Sequence, residues 1–249
     1  MAVWKPSDPP RDVTIFDYLV MFVLVASVVI SMVRGLIKEV LSLAGWVIAL
    51  ALGFAVGAMR TLPNRWLRML GTGYVELFRN VPLLVQMFLW FFVMPELLPP
   101  AGGDWLKSLP NAPFVTAVLC LGFFTSARVA VQVTAGIEAL AGGQRLAALA
   151  LGLDLPQTYR FVLLPLAVRM ILPPLTSEFL NIIKNSSVAL TIGLMELTAS
   201  ARAIQEFSFQ VFEAFTAATL IYVVVNLVVI AAMRWLEHRL ALPGTLGGR

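Results

Sequence analysis

Cysteine, histidine and charged residues are scarce in this sequence. Its one cysteine, Cys120, lies in an apolar run, so we expect no intrachain disulfide and no thiolate metal site. No segment matches GxxxxGKS/T, which excludes ATP hydrolysis by the phosphate-binding loop that this motif builds. The one histidine, His238, lies in the C-terminal polar region, and no nucleophile is placed with a general base. We therefore predict no catalytic residue, no metal ligand and no cofactor bound by this chain.

Apolar residues make up 59% of the 249 residues and charged residues only 13%, a composition that indicates an integral membrane protein. A helix needs about 20 apolar residues to cross a hydrocarbon core about 30 Å thick. About six windows qualify: residues 15–33, a second window ending near 58, and 74–98, 114–133, 162–194 and 211–235. The sequence therefore predicts an all-α protein in a lipid bilayer.

Positive charge predicts the orientation of these spans. The densest positive cluster, expected to face the cytoplasm, is Arg60, Arg65 and Arg68. The loop 99–113 and the amphipathic segment 196–210 then lie outside, and both termini lie inside. Arg34 and Lys38 would face outward, so the alternative is that one of the first two spans is re-entrant or interfacial. The net charge of +4 is spread along helix ends, and no nucleic-acid partner is predicted.

The segment 144–165 is weakly charged and is interrupted by glycine and proline. Gly152 permits a sharp turn, Asp154 can accept backbone donors at a helix start, and Pro156 is tolerated in a first turn, whereas Pro165 is predicted to end the short helix. We predict a rigid peg that fits a cleft in a soluble partner. Its apolar side is expected to consist of Leu149, Leu153 and Leu155. The alternative is an ordinary cytoplasmic connection.

Polar residues interrupt the predicted fifth span at Glu178, Asn181, Lys184 and Asn185, which share one broad helical face. A charge at mid-bilayer costs about 2.5–3.5 kcal/mol, so this face should point at protein or at a water-filled cavity. One hypothesis is a translocation path in which Lys184 attracts a substrate carboxylate and Glu178 pairs with Lys184 or with a substrate ammonium. The alternative is that these groups satisfy one another or cap helix ends broken near Pro173 and Pro174.

A second polar group, consisting of Glu76, Arg79 and Asn80, precedes Pro82. Its place at a helix start favours a structural role, with Glu76 and Arg79 forming an ion pair about one turn apart.

Longer motifs resemble those of a known family. They are GTGYVELFRNVPLLVQ at 71–86, PELLP at 95–99, GFFTSARVAVQV at 122–133, ALGLDLPQTYRFVLLP at 150–165, PPLTSEFLNIIKNSSVALTIGLMELT at 173–198 and the closing LPGTLGG. From about residue 50 to 249 the chain resembles the permease subunit of ATP-binding-cassette (ABC) importers of polar amino acids, and most of all the glutamate/aspartate type. Its segment 144–165 resembles the EAA signature of such permeases, although Leu146 occupies the position of the usual glutamate.

The resemblance implies a type I importer transmembrane domain, MetI-like, with about five core helices plus one N-terminal helix, in the bacterial inner membrane. It implies that an ATP-binding subunit docks on the EAA loop, at Ala147, Ala148, Gly152, Asp154, Val162, Leu164 and Pro165. The implied partners are a dimer of that subunit, which would hold ATP and Mg²⁺, an identical or homologous permease, and a periplasmic amino-acid-binding protein. Transport would then follow alternating access.

Residues of about 12–49 instead resemble the N-terminal membrane segment of the colicin V production protein family, through RGLIKEVLSLAGW. We therefore expect a polar leader at 1–14, N-terminal membrane helices at 15–58, a permease core at 59–241 with the loop 144–165, and a tail at 242–249. Membrane helices pack through small residues, here Gly45, Gly53 and Gly57. A rival function is a non-transporting accessory protein, and a second is a passive channel, although the sequence has no ion-selecting ring.

Overall fold

The computed structural model describes residues 44–140 and 142–240, and these residues contain helices and no strand. The helices are α1 (Ala44–Thr61), α2 (Arg65–Asn80), α3 (Leu83–Phe88), α4 (Met94–Leu97), α5 (Pro100–Ser108), α6 (Ala112–Ala139), α7 (Gly142–Ala150), α8 (Leu155–Thr158), α9 (Leu164–Asn185), α10 (Leu197–Ser208) and α11 (Val211–Leu240). Short π-helical segments join α3 to α4 (Leu89–Val93) and α8 to α9 (Tyr159–Leu163), and a 3-10 helix (Ser186–Ile192) follows α9. The predicted all-α fold is confirmed.

Four helical stretches within the described residues are long and apolar enough to cross a membrane: Ala44–Thr61, Ala112–Ala139, Leu155–Ile192 and Val211–Arg239. A fifth crossing exists if the bent pair Arg65–Asn80 and Leu83–Leu97 is one span. The predicted span 15–33 lies outside the described residues.

The predicted third span, 74–98, is not one straight helix, because the chain bends by 101° between α2 and α3. Proline disfavours helical geometry in the residue before it, and Val81 is accordingly extended, with φ −92° and ψ 126°. The side chain of Gln86 stabilises this bend, hereafter the elbow, because its Nε2 donates to the carbonyl oxygens of Phe78 and Val81, each at 2.9 Å. The predicted outer loop 99–113 is also partly helical, since α5 lies within it.

α6 is the central helix, and it packs against α1, α2, α3 and α9. Glycines bring α1 close to it: a Cβ at Gly53 would lie 2.5 Å from Val129 Cγ1, and one at Gly57 would lie 2.6 Å from Val133 Cβ. The prediction that these glycines lie at a helix contact is confirmed. The core therefore relies on close backbone approach, as expected for helices in lipid.

Pro165, Pro173 and Pro174 all lie within α9, which runs unbroken from Leu164 to Asn185. The prediction that Pro165 ends the short helix is wrong: the π-helical segment Tyr159–Leu163 joins α8 directly to α9, and Pro165 lies in the first turn of α9. The proposed helix ends near Pro173 and Pro174 are likewise absent from α9.

Candidate functional site

The segment 144–165 folds into two helices joined by a turn whose hydrogen bonds are all local. Gly152 has φ +82°, and the N–H groups of Gly152 and Leu153 donate to the carbonyl oxygens of Leu149 (3.0 Å) and Ala148 (3.2 Å). This is a Schellman motif, which ends α7 with glycine in the left-handed region. The sharp turn predicted at Gly152 is confirmed.

A capping box begins α8. The Asp154 carboxylate accepts from the Gln157 N–H at 2.8 Å, and the Gln157 side chain accepts from the Asp154 N–H at 3.0 Å. Pro156 lies in the first turn, where it is tolerated. The predicted capping role of Asp154 is confirmed, and the turn and the box together make this segment locally rigid.

The apolar surface of this segment differs from the one predicted. Leu149 is exposed, but Leu153 and Leu155 are half-buried, and Leu155 packs against the core around Val129 and Ala167. The exposed apolar side chains are instead Leu146, Leu149, Leu151 and Phe161. Leu146, in place of the usual glutamate of the motif, is 68% exposed.

The predicted docking residues are not equally accessible. Ala147, Gly152, Asp154 and Pro165 are exposed, Ala148 is buried, and Val162 and Leu164 are half-buried. Only the first group is therefore fully accessible to a partner.

Tyr159, which the sequence reasoning missed, anchors this segment to the end of α1. Its hydroxyl donates to the Thr61 carbonyl oxygen at 2.9 Å and lies 3.1 Å from Thr61 Oγ1. A buried tyrosine hydroxyl needs a hydrogen-bond partner, and that need was the available signal.

Glu178 is buried on α9, and its Oε2 accepts from Arg128 Nε on α6 at 2.8 Å. The sequence prediction did not include Arg128, although it is the one charged residue in the predicted span 114–133. Its guanidinium also lies 5.8 Å from the centre of the Phe124 ring. Glu178 thus pairs with Arg128 and not with Lys184, whereas its suggested pairing with a substrate ammonium stays a prediction.

The other polar residues of α9 are less constrained. Asn181 and Asn185 are half-buried and Lys184 is exposed. Together with Glu178 they therefore do not form one cluster of side chains that hydrogen-bond to one another. No hydrogen bond joins the side chains of these three residues to any group in the described part of the chain.

The group before Pro82 is held differently from the prediction. Asn80 Nδ2 donates to Glu76 Oε2 at 2.9 Å, whereas Arg79 is exposed and forms no ion pair with Glu76. The predicted Glu76–Arg79 pair is wrong, because the i,i+4 partner on the exposed helix surface takes the carboxylate. Pro82 begins the second arm of the elbow as the N-cap residue of α3.

Glu196, fully buried, begins α10 and was also missed. Its carboxylate accepts from the N–H groups of Thr198 and Ala199, both at 2.7 Å, and from the Tyr222 hydroxyl at 3.1 Å. Burial raises the pKa of Glu196, and the hydrogen bonds from Thr198, Ala199 and Tyr222 oppose that shift.

A bundle of apolar helices, of which four are long enough to cross a bilayer, with an ion pair inside it defines a multi-pass membrane protein. The chain belongs to the family of binding-protein-dependent transport system inner membrane components, whose family profile matches residues 48–242. The predicted family and inner-membrane location are confirmed.

Individual relatives agree with this assignment. The glutamate/aspartate import permease protein GltJ of Escherichia coli K12 is 51% identical over 212 residues, which cover 84% of this chain and 86% of GltJ. The glutamine transport system permease protein GlnP of the same organism is 31% identical over 202 residues, which cover 81% of this chain and 87% of GlnP. A separate profile, colicin V production protein, matches residues 16–62, in agreement with the resemblance of the N-terminal segment.

Solved structures share the fold. A crystal structure of an amino acid ABC transporter with histidines superposes with a TM-score of 0.72 at 27% identity, covering 88% of this chain and 98% of that one. The inward-facing MetNI methionine ABC transporter gives a TM-score of 0.69 at 17% identity, covering 85% and 97%. The predicted type I importer fold is confirmed.

Proposed function

We propose that this chain is a permease subunit that imports acidic amino acids, of the glutamate/aspartate type, across the bacterial inner membrane. The observation that carries the proposal is the 51% identity to the glutamate/aspartate permease GltJ over most of both chains. The glutamine permease GlnP is related at a lower identity of 31%, which favours an acidic substrate over its amide.

The proposed complex contains an identical or homologous permease, a dimer of ATP-binding subunits and a periplasmic amino-acid-binding protein. ATP and Mg²⁺ would be held by the ATP-binding subunits, so this chain would not act as an enzyme. The family description itself, a binding-protein-dependent transport system, supports the binding protein as a partner.

The ATP-binding subunit would dock on the segment 144–165. Exposed apolar side chains at Leu146, Leu149 and Leu151 supply a contact surface, and the turn at Gly152 holds it in one shape. Nucleotide-driven closure of the ATP-binding pair would move this segment, and α9 would carry the movement into the bundle because it follows directly. The polar face of α9, with Glu178, Asn181, Lys184 and Asn185, would line the path of the substrate.

The division of the chain into N-terminal helices (15–58) and a permease core (59–241) remains a proposal. The permease profile, however, begins at residue 48, and α1 packs closely against α6, so we propose that the permease core also includes α1.

Docking can be tested by affinity purification of the tagged protein from native membranes, comparing wild type with Gly152→Asp. Asp at φ +82° strains the backbone and places a charge on the exposed turn, so we expect the ATP-binding subunit to be lost from the variant. Gly143→Asp is the matched control, because Gly143 is exposed, has open space around it and has no positive φ.

Uptake of labelled glutamate by the same cells should fall with Gly152→Asp and persist with Gly143→Asp. Wild-type protein that is folded and abundant, yet co-purifies with no ATP-binding subunit, would contradict the proposal.

A further inference from the structure

Arg128 carries a charge deep within α6. It lies eleven residues before the end of this helix, about 17 Å at 1.5 Å per residue. Its neighbours on the same helix, Ala127, Val129 and Ala130, are fully buried, yet the Arg128 side chain is 41% exposed. A charged residue in a membrane span faces a cavity or a partner group, so the exposed part of this side chain marks where a polar group is expected.

Within the described residues, only the Nε side of the Arg128 guanidinium forms a hydrogen bond. Nε donates to Glu178 Oε2 at 2.8 Å. Neither Nη group forms a hydrogen bond with the described residues, and neither is a buried nitrogen without a partner. Guanidinium nitrogens form a planar fork that matches the two oxygens of a carboxylate.

The surroundings hold this group in place. Glu178 has a side chain only 9% exposed and compensates the positive charge, and the Phe124 ring, one turn away on α6, lies 5.8 Å from the guanidinium carbon. The free edge is therefore presented in a fixed orientation, which lowers the entropy lost when a ligand binds.

The exposed side of the ion pair suits an anion, because it belongs to the Arg128 cation whereas Glu178 is buried. Lys184 adds a further positive charge on the exposed surface of α9, six residues after Glu178. An amino acid with two carboxylates and one ammonium group carries one net negative charge, so a cation on its path favours it.

We propose that Arg128 binds the second carboxylate of an acidic amino acid through its Nη groups and so selects acidic over neutral substrates. Glu178 is the positioning residue that orients the guanidinium. This inference rests on the proposed function. An amide substrate such as glutamine would place an NH₂ group against the same donors, which leaves the fork partly unpaired.

The test uses the permease reconstituted in liposomes with its ATP-binding subunit and a glutamate-loaded binding protein. Four variants are compared with wild type: Arg128→Gln, Arg128→Lys, Arg128→Gln with Glu178→Gln, and Arg202→Gln. The last is the control, because Arg202 forms an exposed ion pair with Glu206 outside the candidate spans. Glutamate uptake and ATP hydrolysis stimulated by the binding protein are measured on the same vesicles.

We expect Arg128→Gln to lower glutamate uptake at least about tenfold, because a charge-paired contact is lost. The double variant should show the same loss, since removing Glu178 does not restore a cation. Arg128→Lys should retain part of the uptake, Arg202→Gln should resemble wild type, and ATP hydrolysis should persist in all four.

A purely structural ion pair predicts the opposite pattern. In that case the double variant, which leaves no unpaired charge, would transport like wild type, and this result would overturn the inference. Equal loss of uptake and ATP hydrolysis in the double variant would also overturn it. Failure of the proposed function is separate: wild-type vesicles would then take up neither glutamate nor aspartate.

Discussion

Two buried carboxylates on this chain are stabilised in different ways. Glu178 is paired with the cation of Arg128, whereas Glu196 accepts hydrogen bonds from two backbone N–H groups and the neutral hydroxyl of Tyr222. Neutral donors offset desolvation less completely than a cation does, because a carboxylate loses most of its hydration on burial. Burial accordingly raises the pKa of Glu196.

The raised pKa of Glu196 predicts a pH dependence of stability. In the unfolded chain the carboxyl titrates near 4.5, and in the folded protein it titrates at a higher pH. The contribution of Glu196 to the free energy of unfolding is therefore fully present below pH 4.5. It is lost as the pH rises through the pKa of Glu196 in the folded protein. Relative to Glu196→Gln, wild type should lose thermal stability from pH 4.5 towards neutral, as measured by melting in detergent. Parallel melting curves of the two proteins against pH would contradict this.

At the scale of helices, contacts in this bundle depend on small side chains. α1 presents Gly53 and Gly57 to Val129 and Val133 of α6, and the hydroxyl of Thr134 donates to the Gly57 carbonyl oxygen at 3.3 Å. The two backbones are so close that no side chain fits between them. Packing of this kind replaces the hydrophobic effect, which gives helices little attraction in lipid.

Gly57→Ala should therefore destabilise the bundle. The new Cβ would lie 2.6 Å from Val133 Cβ and 2.9 Å from the Ala130 carbonyl oxygen, so α1 and α6 must separate. Overpacking of this kind costs about 1–3 kcal/mol. Gly73→Ala on α2 is the matched control, because nothing lies within 4 Å of its added Cβ. The melting temperature should fall for Gly57→Ala only, and equal effects of both changes would contradict the packing argument.

At the scale of the whole molecule, the run Leu155–Ile192 begins within the docking segment 144–165 and ends shortly before α10. If it crosses the membrane, the two segments lie on opposite sides, with 144–165 in the cytoplasm and 196–210 outside. Leu151 and Phe207, 83% and 88% exposed, are suitable reporters of the two sides.

Single cysteines at these reporters test the orientation, since the only native cysteine, Cys120, is fully buried and can be replaced by serine. A membrane-impermeant maleimide should label Phe207→Cys in intact spheroplasts. It should label Leu151→Cys only after the membrane is opened. Labelling of both variants in intact spheroplasts would refute the orientation.

Much of this protein was predictable because its signals are local. Membrane spans follow from runs of apolar residues, and the turn at Gly152 and the capping box of Asp154 and Gln157 join residues at most five positions apart. Family motifs added the importer fold. Prediction failed where neighbouring residues competed for one role. The Glu76 carboxylate accepts a hydrogen bond from Asn80 and does not pair with Arg79, and Pro165 lies in the first turn of α9 and does not end a helix.

The sequence by itself therefore determined the class and the locally bonded turns. Only the tertiary structure decided that Arg128 meets Glu178, that Tyr159 reaches Thr61, and that the elbow at Pro82 turns by 101°. The first two contacts join residues 50 and 98 positions apart. Residues so far apart in sequence do not influence each other's local structure. Each contact therefore depends on how whole helices pack, which the helix propensity of a segment does not encode.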